Sequence, residues 1–134
     1  MAIAPGMSAE FSRKVKEKDT ATHHGNPGVE VFSTPVLCEW VEEVACKAVH
    51  PHLDPGMVTV GTVVNLKHLA ATPVGMTVRV QARLTEVDGR RLVFVVEAFD
   101  EKEKIAESHQ ERLDRKSTRL NSSHYRASRM PSSA

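Results

Sequence analysis

The chain has little cysteine and no long hydrophobic run. Its two cysteines, Cys38 and Cys46, lie eight residues apart on one predicted helix. That spacing is about two turns, too far for a disulfide bond within the helix. There is no CxxC pair and no Cys/His spacing typical of a metal site. Apolar runs of only a few residues predict no membrane span, and the first residues lack the pattern of a secretory signal. We therefore expect a cytoplasmic protein with reduced thiols, no metal and no membrane partner.

Charge is nearly balanced over the 134 residues, at a net +1, but it is unevenly distributed. Residues 114–134 are rich in Ser and Arg, lack periodicity, and resemble the translation of a common DNA-sequencing adapter. We expect them to form a non-native, disordered tail. They contain five of the 18 basic and one of the 17 acidic residues, which leaves residues 1–113 with 13 basic, 16 acidic and a net charge of −3. This excess of acid predicts no nucleic-acid partner. The alternative is a natural basic tail that binds an acidic partner.

The remaining sequence has the size and patterning of one domain with α+β architecture. Hydrophobic residues make up 40% of the chain and charged residues 26%, as in globular proteins. We expect a loose N-terminus over residues 1–9 and a single domain over residues 10–113. One long helix is flanked by predicted strands at residues 10–18, 58–68, 76–84, 92–99 and 104–112, with a hairpin at Asp88-Gly89. A core this small favours a homodimer, because a second sheet could protect an exposed edge and bury further apolar surface.

The predicted helix carries one glutamate at the margin of its apolar face. Ser33 or Thr34 caps its start, Pro35 suits its first turn, and the helix is expected to end near Val49, before Pro51. At 100° per residue, Glu42 falls beside the buried stripe, whereas the other two glutamates of the helix fall opposite it. Glu42 is therefore the glutamate that can face a sheltered space.

A histidine ends a strand that otherwise belongs in a core. At a period of two residues, one face of this strand is formed by Val58, Val60, Thr62, Val64, Leu66 and His68. A helix carboxylate, a strand imidazole and a hydroxyl at a helix N-terminus are groups that acyl-transfer chemistry uses. The function depends on whether His68, Glu42 and Thr34 meet.

These residues also carry a family resemblance. The order Thr34-Pro35, Glu42, Val60-Gly61, the block from His68 to Gly75 with its Ala-Ala-Thr-Pro, the Asp-Gly hairpin, and His109-x-Glu-Arg112 resembles the hotdog-fold acyl-CoA thioesterases, in particular the fluoroacetyl-CoA-specific thioesterase family. The resemblance covers roughly residues 29–112.

The resemblance implies a long central helix wrapped by a curved antiparallel sheet of about five strands, in a dimer with active sites at the interface. It implies hydrolysis of an acyl-CoA thioester without a cofactor. Its catalytic threonine, glutamate and histidine correspond to Thr34, Glu42 and His68. Its glycine near the thioester corresponds to Gly61 and its arginine to Arg112, and we add Phe32 to the substrate-binding residues.

One departure concerns the substrate. The family's enzyme has bulky phenylalanines before its helix, over the fluorinated acyl group, and His24-Gly25-Asn26-Pro27-Gly28 has none. We therefore expect a thioesterase for small acyl groups in general. The alternatives are a non-catalytic acyl-CoA-binding hotdog module and a hotdog enoyl-CoA hydratase.

Each site residue also has a structural reading. His68 could be a core histidine, Thr34 a plain N-cap and Glu42 a solvated helix glutamate. Gly61 could mark a β-bulge. Arg112 could contact a carboxylate or a phosphate of CoA, or it could form a surface salt bridge.

Overall fold

One long helix packs on one face of a five-stranded antiparallel sheet, as predicted. The computed structural model describes residues 3–117. The helix α1 spans Thr34–Val49. The strands are β1 Ser8–Lys14, β2 Met57–His68, β3 Thr77–Asp88, β4 Arg91–Phe99 and β5 Lys104–Lys116. Their spatial order is β1-β3-β4-β5-β2, so β1 and β2 form the two edges of the sheet.

The start of α1 follows from its local sequence. Ser33 is the N-cap, and its Oγ accepts a hydrogen bond of 3.3 Å from the Val36 N–H. Pro35 lies in the first turn, where no backbone donor is needed. The helix ends at Val49, and a short 3₁₀ turn, His50–His52, follows it. Because Ser33 takes the capping position, Thr34 is the first helical residue and its hydroxyl is available for another partner.

The core lies between α1 and the inner face of the sheet. The apolar face of the helix is buried against alternate residues of β3 and β4. The largest fully buried side chains of the core include Phe32, Phe94, Leu37, Leu84, Leu92 and Ile105. The N-terminal end of α1 and the C-terminal end of β2 therefore meet at one end of this core, where Thr34 and His68 lie.

The chain ends differ from expectation. The expectation that residues 1–9 are loose is wrong for the part that the structure describes. β1 begins at Ser8, the Gly6 N–H donates to the Leu84 carbonyl at 2.8 Å, and the Leu84 N–H donates to the Met7 carbonyl at 2.8 Å. At the other end, β5 continues to Lys116 and so includes three residues of the expected tail. Residues 118–134, the rest of that tail, lie outside the described residues.

A β-bulge in β2 changes which side chains face the helix. Gly61 pairs with Arg112, and the next residue of β5, Glu111, pairs with Val63, so Thr62 is the extra residue. Directly paired residues share a face. The inner face therefore carries Gly61 before the bulge and the even-numbered residues from Val64 to His68 after it. The prediction that Val58 and Val60 share the face of His68 is wrong, because a bulge breaks the alternation of two.

Candidate active site

The N-terminus of α1 and the end of β2 bring a hydroxyl and an imidazole together. Thr34 Oγ1 lies 2.8 Å from His68 Nδ1, a hydrogen-bond distance. The ring of Phe32 meets the His68 ring edge to face, with centroids 6.4 Å apart. The structural reading of Thr34 as a plain cap is wrong, because Ser33 is the N-cap and the Thr34 hydroxyl lies against the imidazole. His68 combines its contact with Thr34 with a backbone interaction with Ala70.

The environment of His68 favours a neutral imidazole. Burial lowers the pKa of His68 below its usual value of 6.5, and a weaker backbone interaction with Ala70 acts in the opposite direction. Its Nε2 atom is buried and has no hydrogen-bond partner within residues 3–117. The Thr34 hydroxyl thus orients the ring at Nδ1, and Nε2 is the nitrogen without a hydrogen-bond partner among the described residues.

The predicted carboxylate approaches a different part of β2. A Cβ on Gly61 would lie 2.7 Å from Glu42 Oε2 and 3.4 Å from Arg112 Nη1. Real Cβ atoms essentially never come as close as the first distance, so the absent side chain of Gly61 makes room for the Glu42 carboxylate. Both readings of Gly61 hold, because it permits this approach and also borders the bulge.

Glu42 and His68 therefore belong to two separate groups within one protomer. Glu42 is eight residues beyond Thr34 on α1, about 12 Å along the helix axis. Gly61 is seven residues before His68 on β2. No contact joins Glu42 to His68 among the described residues. The expectation that the imidazole and the carboxylate converge in one cleft is not met within a single chain.

Arg112 is buried beside the second group. Only 7% of it is exposed, so its reading as a surface salt bridge is wrong. Its Nε donates to Thr59 Oγ1 at 2.9 Å, Nη2 to the Thr59 carbonyl at 3.2 Å, and Nη1 to Gln110 Oε1 at 3.0 Å. Burial lowers the pKa of Arg112, and the charges of Cys46 and Glu42 oppose that shift.

The sequence reasoning missed Gln110 and Thr59. Gln110 is fully buried, and its Nε2 donates to the Val41 carbonyl of α1 at 3.2 Å. A signal was present, because Ser108, Gln110 and Arg112 are polar residues at alternate positions of the last strand, where apolar residues are expected. The cross-strand pairing of Arg112 with Gly61 shows that these positions face the helix.

A cavity of about 410 Å³ adjoins the Thr34–His68 pair. Its apolar lining includes Phe32, which is itself almost fully buried and packs on Trp40 at 4.7 Å between ring centroids. The loop before α1 contributes His24 and Asn26 to the lining. His24 Nε2 lies 3.0 Å from the Lys18 carbonyl, which fixes its ring. The cavity can hold a small group next to His68.

Residues 3–117 contain neither a cluster of metal ligands nor a membrane-spanning helix. No group of three His, Cys, Asp or Glu residues is arranged to hold a metal ion there. None of the helices in that range is long and apolar enough to cross a membrane. Both cysteines are free thiols, and burial, with help from Glu42 and Glu39, raises the pKa of Cys38.

The sequence is similar to those of known thioesterases. The sequence profile of a family described as fluoroacetyl-CoA-specific thioesterase matches residues 15–113. A fluoroacetyl-CoA thioesterase of Streptantibioticus cattleyicolor is 41% identical over 83 residues, which are 62% of this chain and 60% of that protein. The match thus spans about 60% of the length of this curated relative.

Solved structures give the same result for the fold. A structure of the fluoroacetyl-CoA thioesterase superposes with a TM-score of 0.84 at 30% identity, over 92% of this chain and 96% of the other. A mutant of that enzyme in complex with fluoroacetate and CoA gives 0.82 at 31% identity, over 89% and 100%. A thioesterase superfamily member from Thermus thermophilus gives 0.83 at 27% identity, over 92% and 91%. The helix and sheet thus have the hotdog-fold arrangement.

Proposed function

The chain belongs to the fluoroacetyl-CoA-specific thioesterase family, and we propose that it hydrolyses the thioester of a small acyl-CoA to the free acid and CoA. The observation that carries the proposal is the 2.8 Å contact between Thr34 Oγ1 and His68 Nδ1 beside a cavity of about 410 Å³. A cofactor has no part in the proposed reaction. Binding of the CoA moiety is supported by a relative solved with fluoroacetate and CoA.

We propose that the working site forms between two protomers in a homodimer. β2 pairs with β5 on one side only, so its other edge is unpaired in the described chain. An exposed edge of 12 residues favours pairing with a second copy. Antiparallel pairing of two β2 strands would place the end of one, with His68, beside the middle of the other, with Gly61 and Glu42. The site is incomplete without that second copy, because Glu42 and His68 are apart within one chain.

The proposed chemistry uses three side chains. Neutral His68 relays a proton from water to the sulfur of CoA. Thr34 fixes the orientation of the imidazole through Nδ1. In the direct route Glu42 is the general base: it takes the proton of the attacking water, and that proton reaches the CoA sulfur through His68 as the carbon–sulfur bond breaks. In the anhydride route Glu42 attacks the acyl carbon and CoA leaves as the thiolate. Water then hydrolyses the anhydride, and His68 passes a proton from that water to the thiolate. Gly61, Arg112 and Phe32 are proposed to line the substrate site.

The two roles of Glu42 differ in where the oxygen of the product acid comes from. A single turnover in H₂¹⁸O places ¹⁸O in the free acid if water attacks the thioester directly. If Glu42 is the nucleophile and water then attacks the Glu42 carbonyl carbon of the anhydride, the label enters Glu42 in the first turnover. Mass spectrometry of the acid and of the peptide that contains Glu42 separates the two.

The cavity of about 410 Å³ has ample room for a small acyl group. Residues 24–28, which contribute His24 and Asn26 to the lining, contain no phenylalanine, which argues against selection for a fluorinated acyl group. We propose a cytoplasmic location, with acyl-CoA as the substrate and no nucleic-acid or membrane partner.

The test is release of CoA thiol from a panel of short acyl-CoAs. We expect His68→Ala and Glu42→Ala each to lower kcat by about a hundredfold or more, as for loss of a general acid–base group. The matched controls are His109→Ala, on the outer face of the sheet, and Glu39→Ala, on the exposed face of α1, and both should keep the wild-type rate. Wild-type rates in His68→Ala and Glu42→Ala would refute their assignment.

The same assay separates the alternative functions. A non-catalytic binding module would bind acyl-CoA without release of thiol, and a hydratase would add water to an enoyl-CoA with the thioester intact. The relatives that match are named as thioesterases, which favours hydrolysis.

A further inference from the structure

Arg112 is an unusual buried cation because its hydrogen-bond partners are all neutral. Each of its three nitrogen atoms donates to one acceptor: the Thr59 hydroxyl, the Thr59 carbonyl or the Gln110 amide oxygen. Buried charges are normally paired with an opposite charge. Within residues 3–117, Arg112 forms no ion pair, although the Glu42 carboxylate lies across Gly61 from it.

Gln110 and Thr59 are the residues that hold Arg112 in this arrangement. Gln110 is fully buried and uses both ends of its amide, with Oε1 accepting from Arg112 and Nε2 donating to the Val41 carbonyl on α1. Val41 immediately precedes Glu42. One side chain of β5 thus fixes both the direction of the guanidinium and the helix backbone next to the carboxylate.

We propose that Gln110, together with Thr59, is a positioning residue: their acceptors bind three of the five N–H groups of Arg112 and orient the guanidinium, so that its charge faces Glu42 without an ion pair. An ion pair would hold the Glu42 carboxylate against Arg112 and remove it from water or the acyl carbon. A guanidinium kept at a short distance instead stabilises the negative charge of Glu42 and leaves its oxygens free. The role in catalysis rests on the proposed function, whereas the geometric claim does not.

The decisive variant is Gln110→Met, which keeps the length of the side chain and removes the amide. Nη1 of Arg112 then loses its acceptor, and the Glu42 carboxylate lies across Gly61 from it. We expect a crystal structure of this variant to show an Arg112–Glu42 ion pair, and kcat to fall about tenfold with KM changed less than about twofold. Thr59→Val, which removes the Nε acceptor, should change kcat in the same direction and provides the test if Gln110→Met does not fold. Gln81→Met, a glutamine on the outer face, is the matched control and should leave both parameters unchanged.

A double-mutant cycle distinguishes positioning from a general structural role. If Gln110 acts through Arg112, the loss caused by Gln110→Met should largely disappear in an Arg112→Met background, whereas independent effects would multiply. Independent effects, an unchanged kcat in Gln110→Met, or a crystal structure with Arg112 still directed at Thr59 and away from Glu42 would each overturn the proposal. A wild-type protein that releases no thiol from any acyl-CoA would refute the proposed function instead, and the crystal structure of the variant would still test the geometry.

Discussion

Gly61 contributes to the site through the side chain that it lacks. Glu42 Oε2 occupies the space that a Cβ would need, and Arg112 Nη1 borders the same point. The displaced atom would be the end of a flexible side chain, so substitution should cost little stability. A substitution at Gly61 should therefore affect catalysis much more than the stability of the fold.

Gly61→Ala should lower kcat by about tenfold or more while Tm changes by only a few degrees. The added methyl group forces the Glu42 carboxylate away from β2, and misplacement of a reacting group by about 1 Å is costly to catalysis. Thiol release and thermal unfolding measure the two effects. Wild-type kcat would show that the position of Glu42 against Gly61 has no role in the reaction.

The pH dependence should report the burial of His68. Because burial lowers the pKa of His68, the acid limb of kcat/KM should have an apparent pKa below 6.5. Between that value and 6.5 the unfolded chain binds a proton that the folded chain excludes, so the free energy of unfolding should fall as the pH decreases through this window. A pH–rate profile and NMR titration of the imidazole measure both. An imidazole pKa above 6.5 would contradict the expectation.

Among the elements, α1 and β2 position the site. α1 places Thr34 in its first turn and Glu42 two turns later, whereas β2 places Gly61 and His68 on one face only because Thr62 bulges between them. In a regular strand without a bulge, an odd-numbered and an even-numbered residue face opposite sides of the sheet. The bulge therefore lets one strand serve both groups.

The cap of α1 should stabilise the protein and the site together. Ser33→Ala removes the acceptor for the Val36 N–H and should lower the free energy of unfolding by about 1 kcal/mol, as is typical for loss of an N-cap. Thermal or urea unfolding measures this. Ser12→Ala, at an exposed position on β1, is the control and should have little effect. Equal stability of the two variants would show that the Ser33 contact is not a functional cap.

The whole molecule presents two halves of a proposed site and one unpaired strand edge. Thr34 and His68 form one half, and Glu42, Gly61 and Arg112 form the other. Each half includes a residue of the edge strand β2, His68 in the first and Gly61 in the second. A two-fold arrangement of two chains through β2 would therefore complete two sites at once, which makes the oligomeric state a test of the mechanism.

A charge introduced at the β2 edge should separate the dimer and abolish hydrolysis together. Val63 is 41% exposed on β2 and Val95 is 39% exposed on β4, away from that edge. We expect Val63→Lys to give a monomer by light scattering, with loss of thiol release, because a lysine on an edge strand opposes pairing of that edge with a second strand. Val95→Lys should remain dimeric and active. An active Val63→Lys monomer would refute a site shared between protomers.

The local sequence determined the elements and the residue types of the site. The limits of α1 followed from Ser33, Pro35 and Pro51, and the hairpin followed from Asp88-Gly89, because caps, prolines and tight turns act over a few residues. The hydroxyl, imidazole and carboxylate could likewise be selected from their places on the predicted helix and strand.

Only the tertiary structure decided which of these groups meet. The bulge at Thr62, the burial of Arg112 and the link from Gln110 to the Val41 carbonyl each join residues far apart in the chain. A two-residue period cannot locate an extra residue in one strand, because the bulge depends on the register with β5. For the same reason the sequence predicted that Glu42 and His68 share one cleft, whereas packing within a single chain places Glu42 against Gly61 and His68 against Thr34.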